Sequence, residues 1–151
     1  PHVIPMQTSF PAPFYSAIKE NALVIINTSA DLLSDEDRKT LDDLNVAVFN
    51  HDATKLALEI GKTELSTNMA MIGACAGITN IVSLKALDGA IQDRFGKRYV
   101  ASGGTATLDE AIKKKYAKKE MLLKANNDTI IEGHKIATEW AKTQNLQLVE
   151  V

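Results

Sequence analysis

The sequence predicts an α/β fold: three layers, α/β/α, around a mainly parallel sheet, with a helix-rich C-terminal half. Three observations predict it. Ala22 to Thr28 is a continuous apolar run ending in polar residues, the pattern of a strand covered by helices on both faces. Asn45 to Phe49 repeats that pattern after one helical segment, so 22–49 has the size and order of a βαβ unit. From Leu65 onward, helical spacing of apolar residues dominates.

Taken in order, Pro1 to Pro13 holds all 4 prolines of the chain and reads as an extended lead-in. Phe14 to Glu20 fits one short helix. After the first strand, Ser34-Asp-Glu-Asp37 is a capping box whose acidic residues suit the positive end of a helix running to about Leu44. Asn50-His51-Asp52 closes the second strand, and Ala53 to Ile60 reads as a helix stopped at Gly61. Leu65 to Thr79 is helical and rich in small residues (Ala70, Gly73, Ala74, Ala76, Gly77), which lets another backbone approach closely and suggests burial against a sheet or a partner.

Ser83 caps the next helix, where Leu84, Leu87, Ile91 and Phe95 fall near one face and Gly96 ends it. A Gly-containing connection follows over 96–106. Thr107-Leu-Asp-Glu110 is a second capping box, opening a strongly charged helical region that continues, with a break near Asn126, to about Thr143. Leu146 to Val151 alternates apolar and polar and fits a final edge strand. These elements make 1–151 one domain, part of a Rossmann-like arrangement. Only two strands read clearly, and interior parallel strands need neighbours on both sides, so the sheet is expected to continue in a segment not present here or in another chain.

Bulk properties narrow the function classes. A chain of 151 residues with 45% apolar and 24% charged residues suits a globular domain rather than a disordered one. The formal net charge of −2 offers no global attraction to nucleic acid or an anionic membrane surface. No apolar run has the length of a membrane span, and the N-terminus lacks the basic start and apolar stretch of a signal peptide. The chain does not begin with Met, so it reads as processed, as a fragment, or as lacking earlier residues. The single cysteine, Cys75, excludes an internal disulfide framework and cannot alone hold an iron–sulfur cluster; with these features a reducing, cytoplasmic setting is expected.

No P-loop or Gly-x-Gly-x-x-Gly pattern follows a strand. Ser102-Gly-Gly-Thr105 reads as a connector, with a phosphate cradle as the alternative. His2, His51 and His134 are scattered without metal-ligand spacing. Open α/β sheets bind ligands beyond the carboxyl ends of their strands, which marks Asn27, Thr28 and Ser29 after the first strand and His51 and Asp52 after the second. The plainer reading of the same residues is that they end strands and cap helices. Cys75 lies in an apolar helix without basic neighbours and reads as a small buried hydrophobe. The lysine run Lys113, Lys114, Lys115, Lys118 and Lys119 reads as a solvated helix face, with docking of an anionic partner or cofactor phosphate as the alternative. Trp140 and Tyr116 read as packing residues. No Ser/His/Asp, paired-carboxylate or Cys/His constellation is present, so the residues read as a binding or assembly piece.

Three stretches form an ordered set: His51-Asp-Ala-Thr-Lys-Leu-Ala57, Asn68-Met-Ala-Met-Ile-Gly-Ala74 and Thr79-Asn-Ile-Val-Ser-Leu-Lys-Ala-Leu87. Together with Asn126-Asn-Asp-Thr-Ile-Ile-Glu-Gly133 and the strand before Ser29, they resemble the gamma subunit or domain of the thiamine-diphosphate-dependent 2-oxoacid:ferredoxin oxidoreductases, over Ala22 to about Trp140. The 97–119 segment is longer than the family pattern. The family's Gly-rich first strand–helix turn has no counterpart, so the resemblance implies that the chain begins roughly halfway through the usual gamma domain.

The resemblance further implies a non-catalytic piece of a complex that oxidatively decarboxylates a 2-oxoacid to an acyl-coenzyme A and passes electrons to ferredoxin or a similar acceptor. Thiamine diphosphate and iron–sulfur clusters are expected in partner subunits. The gamma domain as a whole is implicated in assembly, the active-site wall and coenzyme A binding, and this chain would supply part of that wall. Because the Gly-rich portion that would meet phosphates lies outside it, a complete coenzyme A site is not expected here. Asn27, Thr28, Ser29, His51, Asp52 and Asn68 would stand on the ligand side in supporting roles only. Asn68 has the alternative of a helix-packing amide bonded to a strand-end carbonyl. Two other readings stay open: a stand-alone nucleotide- or coenzyme A-binding regulatory module, and an adaptor using the Leu65 to Thr79 helix as its interface.

Overall fold

The structure is a computed structural model and describes residues 3–6, 17–93 and 106–144, with side chains over 17–93 and 117–144. The elements run β1 (Val3–Met6), β2 (Leu23–Ile26), α1 (Asp35–Asp43), β3 (Ala47–Asn50), α2 (Ala53–Glu59), a 3-10 turn (Glu64–Ser66), α3 (Thr67–Thr79), α4 (Leu84–Ile91) and α5 (Ala106–Thr143). The strands form one parallel sheet in the order β1-β2-β3.

β2 is the centre of this sheet, and each of its four residues is buried. The pleat sends successive side chains to opposite faces. Val24 and Ile26 pack with Ile18, Ala22, Leu41 of α1 and Val46 on one side. Leu23 and Ile25 pack on the other with Phe49 of β3, Ala53 and Leu56 of α2, Ala70, Met71, Ala74 and Ile78 of α3, and Ala137 and Ala141 of α5. Each large aliphatic side chain so buried contributes about 1.5–3 kcal/mol. The three-layer α/β/α arrangement, the parallel sheet and the helix-rich second half are therefore as the sequence predicts.

The lead-in is the first correction. Val3–Met6 is not a mere approach to the domain but a strand in register with β2, Val3 opposite Leu23 and Met6 opposite Ile26. Pro5 lies inside it, and the proline signal suggested irregular chain. A proline is compatible with a strand at a sheet edge, where one side of the backbone needs no partner. The count of two strands thus becomes three among the described residues. β2 has a neighbour on each side, while β1 and β3 each keep one side without a strand among the described residues.

At the amino ends of β2 and β3, Asn21 (φ 58°) and Asn45 (φ 52°) adopt the left-handed conformation that asparagine tolerates better than most residues. The two turns are tied together, Asn45 Nδ2 donating to Asn21 Oδ1 at 2.6 Å and Asn21 N–H donating to the Leu44 carbonyl at 2.9 Å. Ser34 caps α1 as expected: its Oγ accepts from Asp37 N–H, and Asp37 returns a bond to the Ser34 N–H. Ser83 caps α4 by accepting from Ala86 N–H. In the predicted helix Phe14 to Glu20, Ile18–Glu20 are not helical and most of the rest lies outside the described residues.

Gly61 follows α2 but does not supply its left-handed residue, which is Lys62 (φ 57°). Its reason is space: a Cβ there would stand 2.8 Å from Ser66 Oγ and 2.9 Å from the Ala57 carbonyl oxygen.

The predicted break near Asn126 does not occur; α5 is one helix of 38 residues. Asparagine disfavours helix interiors because its amide competes for nearby backbone groups. Here that amide is engaged elsewhere. Asn126 is 5% exposed, and its Oδ1 accepts a hydrogen bond from Ser66 Oγ at 2.8 Å. α5 also begins at Ala106, so Thr107 lies within the helix and is not its cap.

The small residues of α3 do admit a second backbone, and it belongs to α5. A Cβ on Gly73 would lie 2.2 Å from the Ile130 carbonyl oxygen, and one on Gly77 would lie 2.3 Å from that of His134. Reciprocally, a Cβ on Gly133 would lie 2.5 Å from the Ala70 carbonyl oxygen. Thr138 stitches the crossing, its Oγ1 lying 3.1 Å from the Gly77 carbonyl oxygen that accepts from it. The glycine face of α3, on which the adaptor reading drew, is thus occupied within the chain, while Leu65 and Ile72 on the same segment stay exposed. Phe95, Gly96, the 96–105 connection with Ser102-Gly-Gly-Thr105, His2 and the edge strand expected over Leu146 to Val151 lie outside the described residues.

Candidate functional site

Five of the six predicted site residues come together at the carboxyl ends of β2 and β3. The two strand ends are joined through backbone. Thr28 N–H donates to the carbonyls of Ile26 (3.0 Å) and His51 (3.2 Å), His51 N–H donates to Ile26 (2.8 Å), and Ala53 N–H donates to His51 (2.7 Å).

Most side chains here are spent on shaping the turns. Asn27 makes a two-point match with Thr54: its Nδ2 donates to Thr54 Oγ1 at 3.0 Å, and its Oδ1 accepts from Thr54 N–H at 3.3 Å. Thr28 Oγ1 donates to the Ala30 carbonyl at 2.9 Å and accepts from Ala30 N–H at 3.1 Å. Asp52 caps α2, its Oδ1 accepting from Lys55 N–H at 3.0 Å. Ser29 is exposed.

His51 differs from these. It is 4% exposed, and its Nε2 is sealed from solvent without a hydrogen-bond partner among the described residues. Its ring stacks on Phe49 at 5.4 Å between centroids, with 15° between planes. Phe49 in turn meets Trp140 of α5 at 4.6 Å. Burial holds the imidazole below the ordinary histidine pKa, opposed by the neighbouring Asp52 carboxylate.

Asn68 stands apart from the strand ends. It is exposed on the first turn of α3 and is not a packing amide; it borders an apolar groove of about 540 Å³ lined by Met71, Ile72, Cys75, Ala76, Ile81 and Val82. Cys75 is half-buried there, and burial pushes its thiol pKa up, away from the reactive thiolate. Trp140 packs, as its sequence context suggests.

Among the described residues no group of three His, Cys, Asp or Glu side chains is placed to hold a metal ion, and no helix is long and apolar enough to cross a membrane. What this region offers is a pair of hydrogen-bonded, polar turns at the strand ends. Sequence reasoning missed Thr54, the residue that fixes the Asn27 amide, although it stands within the His51 to Ala57 stretch. It also missed the Ser66–Asn126 pair, whose members are 60 residues apart and carry no local signal of each other.

Both strand-end turns lie inside the stretch that decides the kinship. The pyruvate ferredoxin/flavodoxin oxidoreductase family matches residues 3–104. The chain belongs to this family. Among curated relatives, pyruvate synthase subunit PorC of Methanocaldococcus jannaschii is 37% identical over 78 residues, covering 52% of this chain and 38% of the relative. Its counterpart from Methanothermobacter marburgensis is 33% identical over 82 residues, covering 54% of this chain and 40% of the relative. The chain thus spans about two fifths of the length of the curated relatives it matches. No solved structure matches. The oxidoreductase family match takes in all three strands and α1 to α4 and stops just short of α5, which begins at Ala106.

Proposed function

We propose that this chain is part of the gamma subunit or gamma domain of a 2-oxoacid:ferredoxin oxidoreductase, and that it serves assembly and the wall of the active site rather than the chemistry itself. The observation that carries this reading is the family match over residues 3–104, joined to strand-end turns whose side chains are engaged in structure and not in a nucleophile–base pair. Thiamine diphosphate and the iron–sulfur clusters belong, on this reading, to partner subunits in the cytoplasm, since one cysteine cannot ligate a cluster. The complex decarboxylates a 2-oxoacid oxidatively to an acyl-coenzyme A and delivers electrons to a ferredoxin-type acceptor.

Coenzyme A is the ligand we assign to the neighbourhood of the strand ends. There Ser29 and Asn50 are exposed polar side chains; Asn27, Thr28 and the His51 carbonyl hold the turn that presents Ser29, and Asp52 caps the adjoining helix. Asn68 is a secondary polar contact on α3. Purifying the tagged chain from its own cells tests the reading. The eluate should reduce a low-potential acceptor dependent on both a 2-oxoacid and coenzyme A. A folded chain that elutes alone, without that activity, overturns it. Calorimetry on the isolated chain separates it from a regulatory nucleotide module, for which tight binding of NAD or ATP to this chain alone is required.

A further inference from the structure

Trp140, Phe49 and His51 form a continuous aromatic row from α5 to the end of β3, and His51 is its inner terminus. A neutral imidazole carries one proton. Placing it on Nδ1 leaves Nε2 as a bare acceptor, the less costly group to bury without a partner; this tautomer is assigned from the surroundings. Charging the ring requires a second N–H on Nε2, where the described residues offer no acceptor and the atom is closed to solvent. A buried cation without hydrogen bonds is strongly disfavoured.

The charged groups around the row do not remedy this. Asp52 is the carboxylate that acts on the ring, and its Oδ1 is held by the Lys55 N–H at the start of α2. On α2, Lys55 and Glu59 are exposed and face each other at 3.9 Å. On α5, Glu139 and Lys142 beside Trp140 are exposed, while His134 lies near Thr138 at the α3 crossing. On α3, Cys75 borders the groove.

We propose that His51 is an acid-sensitive latch: its neutral ring, stacked on Phe49, keeps the Trp140 turn of α5 docked on β3, and charging the ring releases that docking. The direction follows from burial. With the folded-state pKa held below the ordinary value near 6.5, the stabilisation is complete above about pH 6.5 and is lost as pH falls from there through the depressed folded-state value. This inference does not depend on the oxidoreductase reading.

The chain's single tryptophan is the reporter. Emission of the full-length chain, followed from pH ~8 to ~5, should shift to the red as Trp140 leaves the packed row, with a midpoint below about 6.5. His51→Phe, which keeps the stack and removes the ionisable group, should abolish that transition, while His134→Gln should leave it in place. If His51→Phe fails to fold, His51→Gln with the same readout replaces it. A transition that persists without His51, or that vanishes in His134→Gln, overturns the latch. So does a wild-type emission that stays constant while NMR shows the His51 ring becoming charged.

Discussion

At the carboxyl ends of β2 and β3 the chain is held by polar side chains reaching backbone groups a few residues away or on the adjoining turn. Where α3 crosses α5 it is held by the lack of side chains. Asn27, Thr28 and Asp52 each satisfy N–H or carbonyl groups that a turn or helix start would otherwise leave open. Gly73, Gly77 and Gly133 bring one helix backbone against another. The first kind of construction loses one bond at a time and tolerates replacement by another capping residue. The second fails at once, because an added methyl group meets backbone that cannot move aside. The strand-end turns of the family stretch therefore rest on a forgiving frame, and the helical layer behind them on an unforgiving one.

Substitutions can break or sharpen this contrast. The largest effect is expected at the crossing: Gly73→Leu should destabilise the chain by about 3 kcal/mol or more, or prevent folding, and Gly77→Ala should follow closely. Urea unfolding monitored by circular dichroism measures both. Next comes Ser66→Ala, which leaves the buried Asn126 Oδ1 without its donor and should cost about 1–3 kcal/mol. At the strand ends Asn27→Ala should cost about 1 kcal/mol, and Asn27→Asp less, since the acceptor to Thr54 N–H is kept. Smallest is Gly89→Ala in α4, where a Cβ meets nothing within 4 Å; it should stabilise by about 0.5–1 kcal/mol. A costly Gly89→Ala, or a neutral Gly77→Ala, would erase the distinction between glycines needed for space and glycines that are not.

These two regions were unequally legible in the sequence. The strand ends were readable because their determinants are local: Ser34 lies three residues from Asp37, and Asp52 directly precedes α2. Their side-chain roles were readable only as capping or ligand binding, and in the structure the side chains of Asn27, Thr28 and Asp52 bond groups of their own turn or of the start of α2. The crossing was half readable. The run of small residues over 70–77 announces a close neighbour but cannot name it, since Gly133 is some sixty residues away. The continuity of α5 through Asn126 was hidden for the same reason, its partner Ser66 being distant in sequence. β1 was missed because Pro5 argues locally against a strand, whereas its place beside β2, with no further strand next to it among the described residues, removes the objection.

Native mass spectrometry of the chain purified from its own cells is the most direct test of an assembly role. Our account places it in one particle with the chains that carry thiamine diphosphate and iron–sulfur clusters, so their masses should appear together and separate only on activation. A spectrum containing this chain alone, folded and free of such partners, would contradict the account.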